Sequence, residues 1–174
     1  MKPRPCDLPT NALLRSYREA GAYTDCYAAE VRAHVSHAQY VEAFYTTFVF
    51  RTERVLLKWL VAKPSTDAEA HRLARGELDS FAAWTVEARA PDQLLMADSV
   101  GRTKSWLMIA PKGDAGTRLY FGSAVVPVRG KAGRPTLGRS YNALLGVHKL
   151  YSAVLLSAAV AKLTKTSRAA RTNP

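Results

Sequence analysis

Between Asp79 and Val126 the chain reads as a succession of strand-like segments, and it then closes with one long apolar helix from Ser140 to about Leu163. This order constrains the fold more than any other feature. Successive short strands joined by turns make an antiparallel sheet. A helix that is apolar on most sides has to be buried or covered on two of them. A curved antiparallel sheet wrapped around a long C-terminal helix meets both demands. We therefore expect an α+β domain in which the sheet and the helix enclose a cavity, and such a cavity suits a small, mostly apolar ligand.

Within the block, Trp84, Val86 and Ala88 alternate against Thr85, Glu87 and Arg89, the period of two that marks a strand. Ala90-Pro91-Asp92 makes a turn, after which Leu94, Met96 and Asp98 share a face. Gly101 turns the chain into residues 102–110. There the pattern points Thr103, Ser105, Leu107 and Ile109 inward, and Arg102, Lys104, Trp106 and Met108 toward solvent or a neighbouring subunit. A further strand over Thr117–Val126 carries Leu119, Phe121, Ser123 and Val125 on one face. Residues 127–139 form a Pro, Gly and basic loop. Ser140 is suited to cap the last helix, whose apolar positions include Leu144, Val147, Leu150, Tyr151, Val154, Leu155 and Ala158.

Upstream, Thr10–Ala20 can form a short helix that Gly21 ends. From Thr24 to Ala33 the chain alternates as a half-buried strand, with Tyr27, Ala29, Val31 and Ala33 on one face and Glu30 and Arg32 on the other. Ser36-x-x-Gln39 and Thr66-x-x-Glu69 have the form of capping boxes. The first opens a helix through Tyr40, Val41, Phe44 and Phe48. The pattern resumes through Thr52, Val55, Leu56, Trp59 and Leu60 until Lys63-Pro64 stops it. The second opens a short helix ending at Gly76.

The 174 residues are enough for one domain with a sizeable core, expected over about 10–163, with residues 1–9 and 164–174 as loose tails. The formal net charge of +11 is uneven: after Asp114 there is no acid against ten Lys and Arg, so the charge belongs to the last third. That asymmetry suits a solvated surface, or an anionic partner such as nucleic acid, acidic lipid or an acidic protein. Cys6 and Cys26 form no zinc spacing and read as two free thiols. His34, His37 and His71 show no metal spacing either, so neither metal nor cofactor is expected. The longest nearly apolar stretch, Leu150–Ala161, has 12 residues, against the roughly 20 of a membrane span. The N-terminus lacks the apolar run of a signal peptide, so a soluble cytoplasmic protein is expected.

Several residues can carry chemistry. Asp98 shares a face with Leu94 and Met96, where a carboxylate in an apolar pocket can act as acid or base. Its alternative role is to start the Ser99-Val100-Gly101 turn. His148, beside Leu144, Leu145 and Tyr151, can meet a ligand's polar group or shuttle a proton, or else serve as a core histidine. Arg102 and Lys104 can grip an anion or line a plain solvent face. A G-x-S-x-G elbow and a strand-to-helix phosphate loop are both missing from the sequence.

The motifs Tyr23-Thr24-Asp25-Cys26-Tyr27, the aromatic helices through Trp59-Leu60, and Trp84-x-x-Glu87 before Asp92-Gln93-Leu94-Leu95 recur in order. They continue through Asp98, Gly101-Arg102-Thr103-Lys104-Ser105-Trp106, Arg118-Leu119-Tyr120-Phe121-Gly122 and Leu145-Gly146-x-His148-x-Leu150-Tyr151. In this the chain resembles, over roughly residues 20–163, the bacterial domain-of-unknown-function family 2867. That family lies within the START and birch-pollen-allergen-like (SRPBCC) helix-grip superfamily. Where many members carry a D-x-H-L-type segment after the third strand, this chain has Gly101 to Trp106. The resemblance implies a pocket between sheet and helix and no particular reaction.

The function expected first is non-covalent binding of a small hydrophobic or amphipathic molecule. Trp84, Met96, Leu107 and Phe121 would form the apolar wall, with Tyr151 and His148 from the helix, and Asp98 and Ser105 would orient a polar group. A second possibility is an enzyme of cyclase, dehydratase or hydrolase type, with Asp98 or His148 as general acid–base. A third is a binder of anionic membrane or nucleic-acid surfaces through the basic last third.

Overall fold

The computed structural model describes residues 2–50, 65–129, 135–136 and 139–172; the side chains of 128–129, 135–136, 139–151 and 170–172 are not among those described. The helix expected through Thr52 to Leu60, with its stop at Lys63-Pro64, falls outside the described residues, as does most of the basic loop after 127.

Seven strands form one antiparallel sheet: β1 (Arg4–Pro5), β2 (Tyr23–Val31), β3 (Ser80–Phe81), β4 (Trp84–Ala90), β5 (Gln93–Asp98), β6 (Thr103–Pro111) and β7 (Thr117–Val125). Their order is β1-β2-β7-β6-β5-β4-β3, so the meander from β3 to β7 is completed by β2 returning along β7. A separate two-stranded pair joins β8 (Val128–Arg129) to β9 (Pro135–Thr136). The helices are α1 (Arg15–Glu19), α2 (His37–Tyr45), α3 (Asp67–Ala74) and α4 (Arg139–Thr172). Helix α4 lies against β2 and β7 and packs on α2, which in turn carries α3. The chain is thus α+β, with a seven-stranded antiparallel sheet and a C-terminal helix, an arrangement that fits a helix grip.

Local chemistry sets the helix ends. Both capping boxes form: Ser36 Oγ accepts the Gln39 N–H at 3.2 Å while Gln39 Oε1 accepts the Ser36 N–H at 2.9 Å, and Thr66 and Glu69 repeat the exchange. Helix α2 stops earlier than the Phe48 periodicity implies. Thr47 Oγ1 donates to Phe44 O and accepts the Phe50 N–H at 3.2 Å, so it closes one helix and opens the next turn. At the other extreme, α4 runs on to Thr172, past the Leu163 end expected for it. Its last turns are Lys, Arg, Ala, Ser and Thr, with no helix breaker before Pro174. Ser140 is the second residue of that helix rather than a residue preceding it.

On the helix-covered face, Leu94, Leu107, Leu119 and Phe121 pack under Phe44, Tyr45 and Leu156 in one core. Alternation had placed these strand residues inward, and they are there.

The opposite face corrects the expectation that Trp106 and Lys104 meet solvent or a neighbouring subunit. Trp106 is fully buried and Lys104 only 5% exposed. The cover is the chain's own N-terminal segment, whose Leu8, Ala12 and Leu14 pack on Cys26, Leu95, Trp106, Met108 and Ala124. Residues 1–9 are therefore not simply a loose tail: β1 pairs with β2, and Leu8 is buried. The buried Gln93 amide fixes the segment. Its Oε1 accepts from Leu13 N–H and Trp106 Nε1–H, and its Nε2 donates to Asn11 O, all at 2.9 Å. Apolar cover removes water from this face, and the amide satisfies the backbone groups so buried.

A β-bulge between Val86 and Ala88 adds a second lock. It turns Ala88 to the outer face beside Glu87, which alternation from Val86 already places there; Lys104 Nζ donates to Glu87 at 2.6 Å and Tyr17 Oη also donates to it. Burial pushes the Glu87 carboxyl up, but hydrogen bonds from Lys104 and Tyr17 outweigh it and hold the group below the usual carboxylate range. A carboxyl depressed in the folded state contributes stability that is full above its unfolded pKa, about 4.3, and lost as pH falls through the folded value. Glu87→Gln is therefore expected to lower stability at pH 7 by about 1–3 kcal/mol. The deficit should shrink below about pH 4, where wild type loses the same contribution. Urea unfolding at both pH values measures this; an equal deficit at each would show that the charge of Glu87 contributes nothing.

Candidate functional site

The register of the central strands lays the helix-covered face out in rows. One row runs Leu94, Leu107, Phe121, Tyr27 across β5, β6, β7 and β2. The next runs Met96, Ser105, Ser123, Asp25. A third holds Thr103, Val125 and Tyr23, with Asp98 opposite Trp84 at the far side. On β6, β7 and β2 the face thus turns from apolar to polar within two residues, from Leu107 to Ser105, Phe121 to Ser123 and Tyr27 to Asp25, while β5 stays apolar at Met96.

Asp25 organises the polar row. Its Oδ1 accepts Ser123 Oγ–H at 2.6 Å and Ser123 N–H at 3.0 Å, and its Oδ2 lies 3.5 Å from Ser152 Oγ on α4. Ser123 and Ser152 are buried at 2% and 1% exposure, and Asp25 is half-buried. A carboxylate in a seam between sheet and helix needs such donors, because removing it from water without them costs several kcal/mol. It offers about four acceptor positions, so the Ser123 and Ser152 contacts leave room for a further donor. Burial pushes the hydroxyl of neighbouring Tyr27 up, and the Asp25 charge adds to this. Ser105, two strands along the same row, is buried at 7% exposure and places a third hydroxyl on this band.

The residues singled out from sequence divide into three groups. Met96, Leu107 and Phe121 face the helices as expected, but they are packed core. Phe121 lies 4.9 Å, centroid to centroid, from Phe44, and Met96 Sδ accepts Tyr45 Oη–H at 3.0 Å. Trp84, Asp98 and Ser105 lie in or beside the polar rows. Asp98 ends β5, and its Oδ1 accepts the Arg102 N–H at 2.7 Å, which closes the turn. His148 and Tyr151 lie in α4 with side chains outside the described ones. Asp25, Ser123 and Ser152 were missed as site residues. The signal for Asp25 was present, since it continues the Tyr27, Ala29 and Val31 alternation toward the strand's start.

The basic last third is partly used internally. Lys162 Nζ donates to Thr46 O at 3.3 Å and to the Thr46 hydroxyl, which ties α4 to the C-terminal end of α2. Arg118 pairs with Glu30 at 2.8 Å. Among the described residues, no three His, Cys, Asp or Glu side chains gather as a metal site, and no helix is long and apolar enough to cross a membrane.

No family model matches the chain. No curated protein matches it either, so the resemblance to domain-of-unknown-function family 2867 rests on the quoted motifs alone. Among solved structures, the crystal structure of protein Ms6760 from Mycobacterium smegmatis is similar with a TM-score of 0.42 and 11% identity, over 96% of this chain and 99% of that one. A likeness at that level carries no argument about function.

Proposed function

We propose that the chain binds a small amphipathic molecule non-covalently between the sheet and α4, with its polar group at Asp25 and its apolar body toward the packed rows. The observation that carries this reading is the Asp25 carboxylate, held by Ser123 and Ser152 in the sheet–helix seam where the apolar face turns polar. A hydroxyl or amine donor would complete the carboxylate's acceptor set, and Ser105 would supply a neighbouring contact. The same reading places the chain with helix-grip proteins of START and birch-pollen-allergen type. Its support is the strand order, with β2 closing the meander along β7 and the helix lying against both.

The test is a thermal-shift screen of amphipathic alcohols and amines on the full chain, followed by calorimetric titration of the compounds that raise its Tm. A hydrogen bond to a charged group contributes about 1.5–3 kcal/mol, so Asp25→Asn is expected to weaken binding roughly 10- to 100-fold. Lys165→Ala, on the exposed end of α4, is expected to leave it unchanged. Equal affinity for wild type and Asp25→Asn would remove Asp25 from the site and the reading with it.

A further inference from the structure

The two cysteines, 20 positions apart and without a shared motif, meet in the fold. Their Sγ atoms are 3.3 Å apart. The β1–β2 register pairs Arg4 with Ala28 and Pro5 with Tyr27, and one more step sets Cys6 opposite Cys26, with Cys6 N–H donating to Cys26 O at 3.0 Å. Directly opposed residues of an antiparallel pair have Cα atoms about 4.5–5.5 Å apart. That lies inside the roughly 4.4–6.8 Å range that a disulfide spans. Closing the bond therefore needs a small movement of two side chains and no rearrangement of backbone. The two thiols also differ in access: Cys6 is exposed and Cys26 buried. Both line a surface cleft of about 450 Å³ together with Asp7, Arg18 and Tyr23, so a small oxidant can reach the outer sulfur.

We propose that Cys6 and Cys26 form a reversible thiol–disulfide site, in which a peroxide oxidises the pair and the bond clamps edge strand β1 and the N-terminal segment to β2. In the first step the Cys6 thiolate attacks one peroxide oxygen. An S–O bond forms, the O–O bond breaks, and the departing hydroxide takes a proton to become water. In the second step the Cys26 sulfur attacks the Cys6 sulfenic sulfur. An S–S bond forms, the S–O bond breaks, and hydroxide leaves with the Cys26 proton as a second water. Two thiols and one peroxide become one disulfide and two waters. The order of events follows from the surroundings. The contact with the Cys26 sulfur holds the Cys6 thiol below its usual value against the effect of burial, and Arg118 adds to this. The same contact, together with burial, pushes the Cys26 thiol up. The exposed sulfur is thus the one that reacts first, and the buried one resolves it.

The consequence falls on the outer face. The N-terminal segment covers Trp106 and fixes Gln93, and the disulfide would anchor that segment at its start. Closing a loop of this length removes unfolded-state entropy, so the oxidised chain is expected to melt roughly 6–12 °C above the reduced one.

The experiment treats the full chain with a small excess of hydrogen peroxide, quenches it, denatures it and adds iodoacetamide before mass analysis. The expected result is a monomer that has lost two hydrogens and takes up no label, a Cys6–Cys26 cross-linked peptide, and recovery of both thiols with dithiothreitol. Cys26→Ser is expected to stop the reaction at a Cys6 sulfenic acid that dimedone traps. The wild-type peptide map decides the matter even where that variant folds poorly. Two thiols that still take up label would overturn the proposal. So would Cys6 driven to sulfinic or sulfonic acid beside a free Cys26, or a disulfide found only between two chains.

Discussion

Trp106→Ala is expected to lower the unfolding free energy by about 3–5 kcal/mol, among the largest losses available to a single truncation in this chain. The indole is fully buried on the face of the sheet away from α4. It lies beside Tyr120, with ring centroids 6.2 Å apart, and beneath Leu14. The packing is close enough that a Cβ on Gly122 would come within 2.9 Å of Leu14 Cδ2 and 3.0 Å of Trp106 Cε3. The indole N–H also helps satisfy Gln93, whose Oε1 takes Leu13 N–H as well. Truncation therefore leaves a cavity and weakens the anchor of the N-terminal segment together. Trp106→Phe separates the two effects: it keeps most of the volume, so a smaller loss is expected, about 1–3 kcal/mol. Urea unfolding of both variants measures this, and limited proteolysis reports whether residues before Tyr17 loosen. A change within about 0.5 kcal/mol for Trp106→Ala, as for ordinary surface substitutions, would show that the face is open to solvent.

Trp106 marks how far alternation along a strand reaches. Period-two alternation put Leu107 and Trp106 on opposite faces correctly, because a strand's side chains can point only two ways. It could not say what covers the second face. The cover comes from Leu8 to Leu14, more than 90 positions before Trp106, in a stretch that straddles the end of the expected tail over residues 1–9 and the start of the short helix expected from Thr10. The bulge after Val86 is similar in kind. One extra residue shifts Ala88 to the outer face with Glu87, and a strict alternation has no place for it. Short-range signals fared better: both capping boxes formed as written, since their partners lie three residues apart.

The candidate site was half legible for the same reason. Ser123 shares a face of β7 with Leu119 and Phe121, and the β2 alternation of Tyr27, Ala29 and Val31, continued back to the strand's start, reaches Asp25. What the sequence could not show is that register brings Asp25, Ser123 and Ser105 into one row, or that Ser152 of α4 meets them. Register depends on strand pairing across nearly 100 positions, and the helix contact spans 127. The cysteine pair is a third case. No motif links Cys6 to Cys26, and only the β1–β2 pairing sets them face to face.

Phe121→Ala tests the packed-core placement of Phe121 against the ligand-wall role expected for it from sequence. Phe121 is 5% exposed, tilted against Phe44 at 4.9 Å, and in the same core as Tyr45, Phe81 and Leu107. Phe44 in turn meets Phe50 and Tyr45, and Tyr45 meets Phe81, so the rings form a continuous aromatic layer between sheet and helices. A side chain lodged in such a layer gives up its transfer free energy and leaves a cavity when truncated, so a loss of about 3–5 kcal/mol is expected. A wall residue facing an open pocket would cost far less, because one side of its ring would have no protein partner to lose. Equilibrium urea unfolding of Phe121→Ala without added ligand reads the difference directly. A large loss fixes the floor of any binding site at the Ser105–Ser123–Asp25 row and confines ligand to the polar end of the face. A loss under about 1 kcal/mol would mean that the apolar rows are themselves open, and the site would then extend down to Leu107 and Phe121.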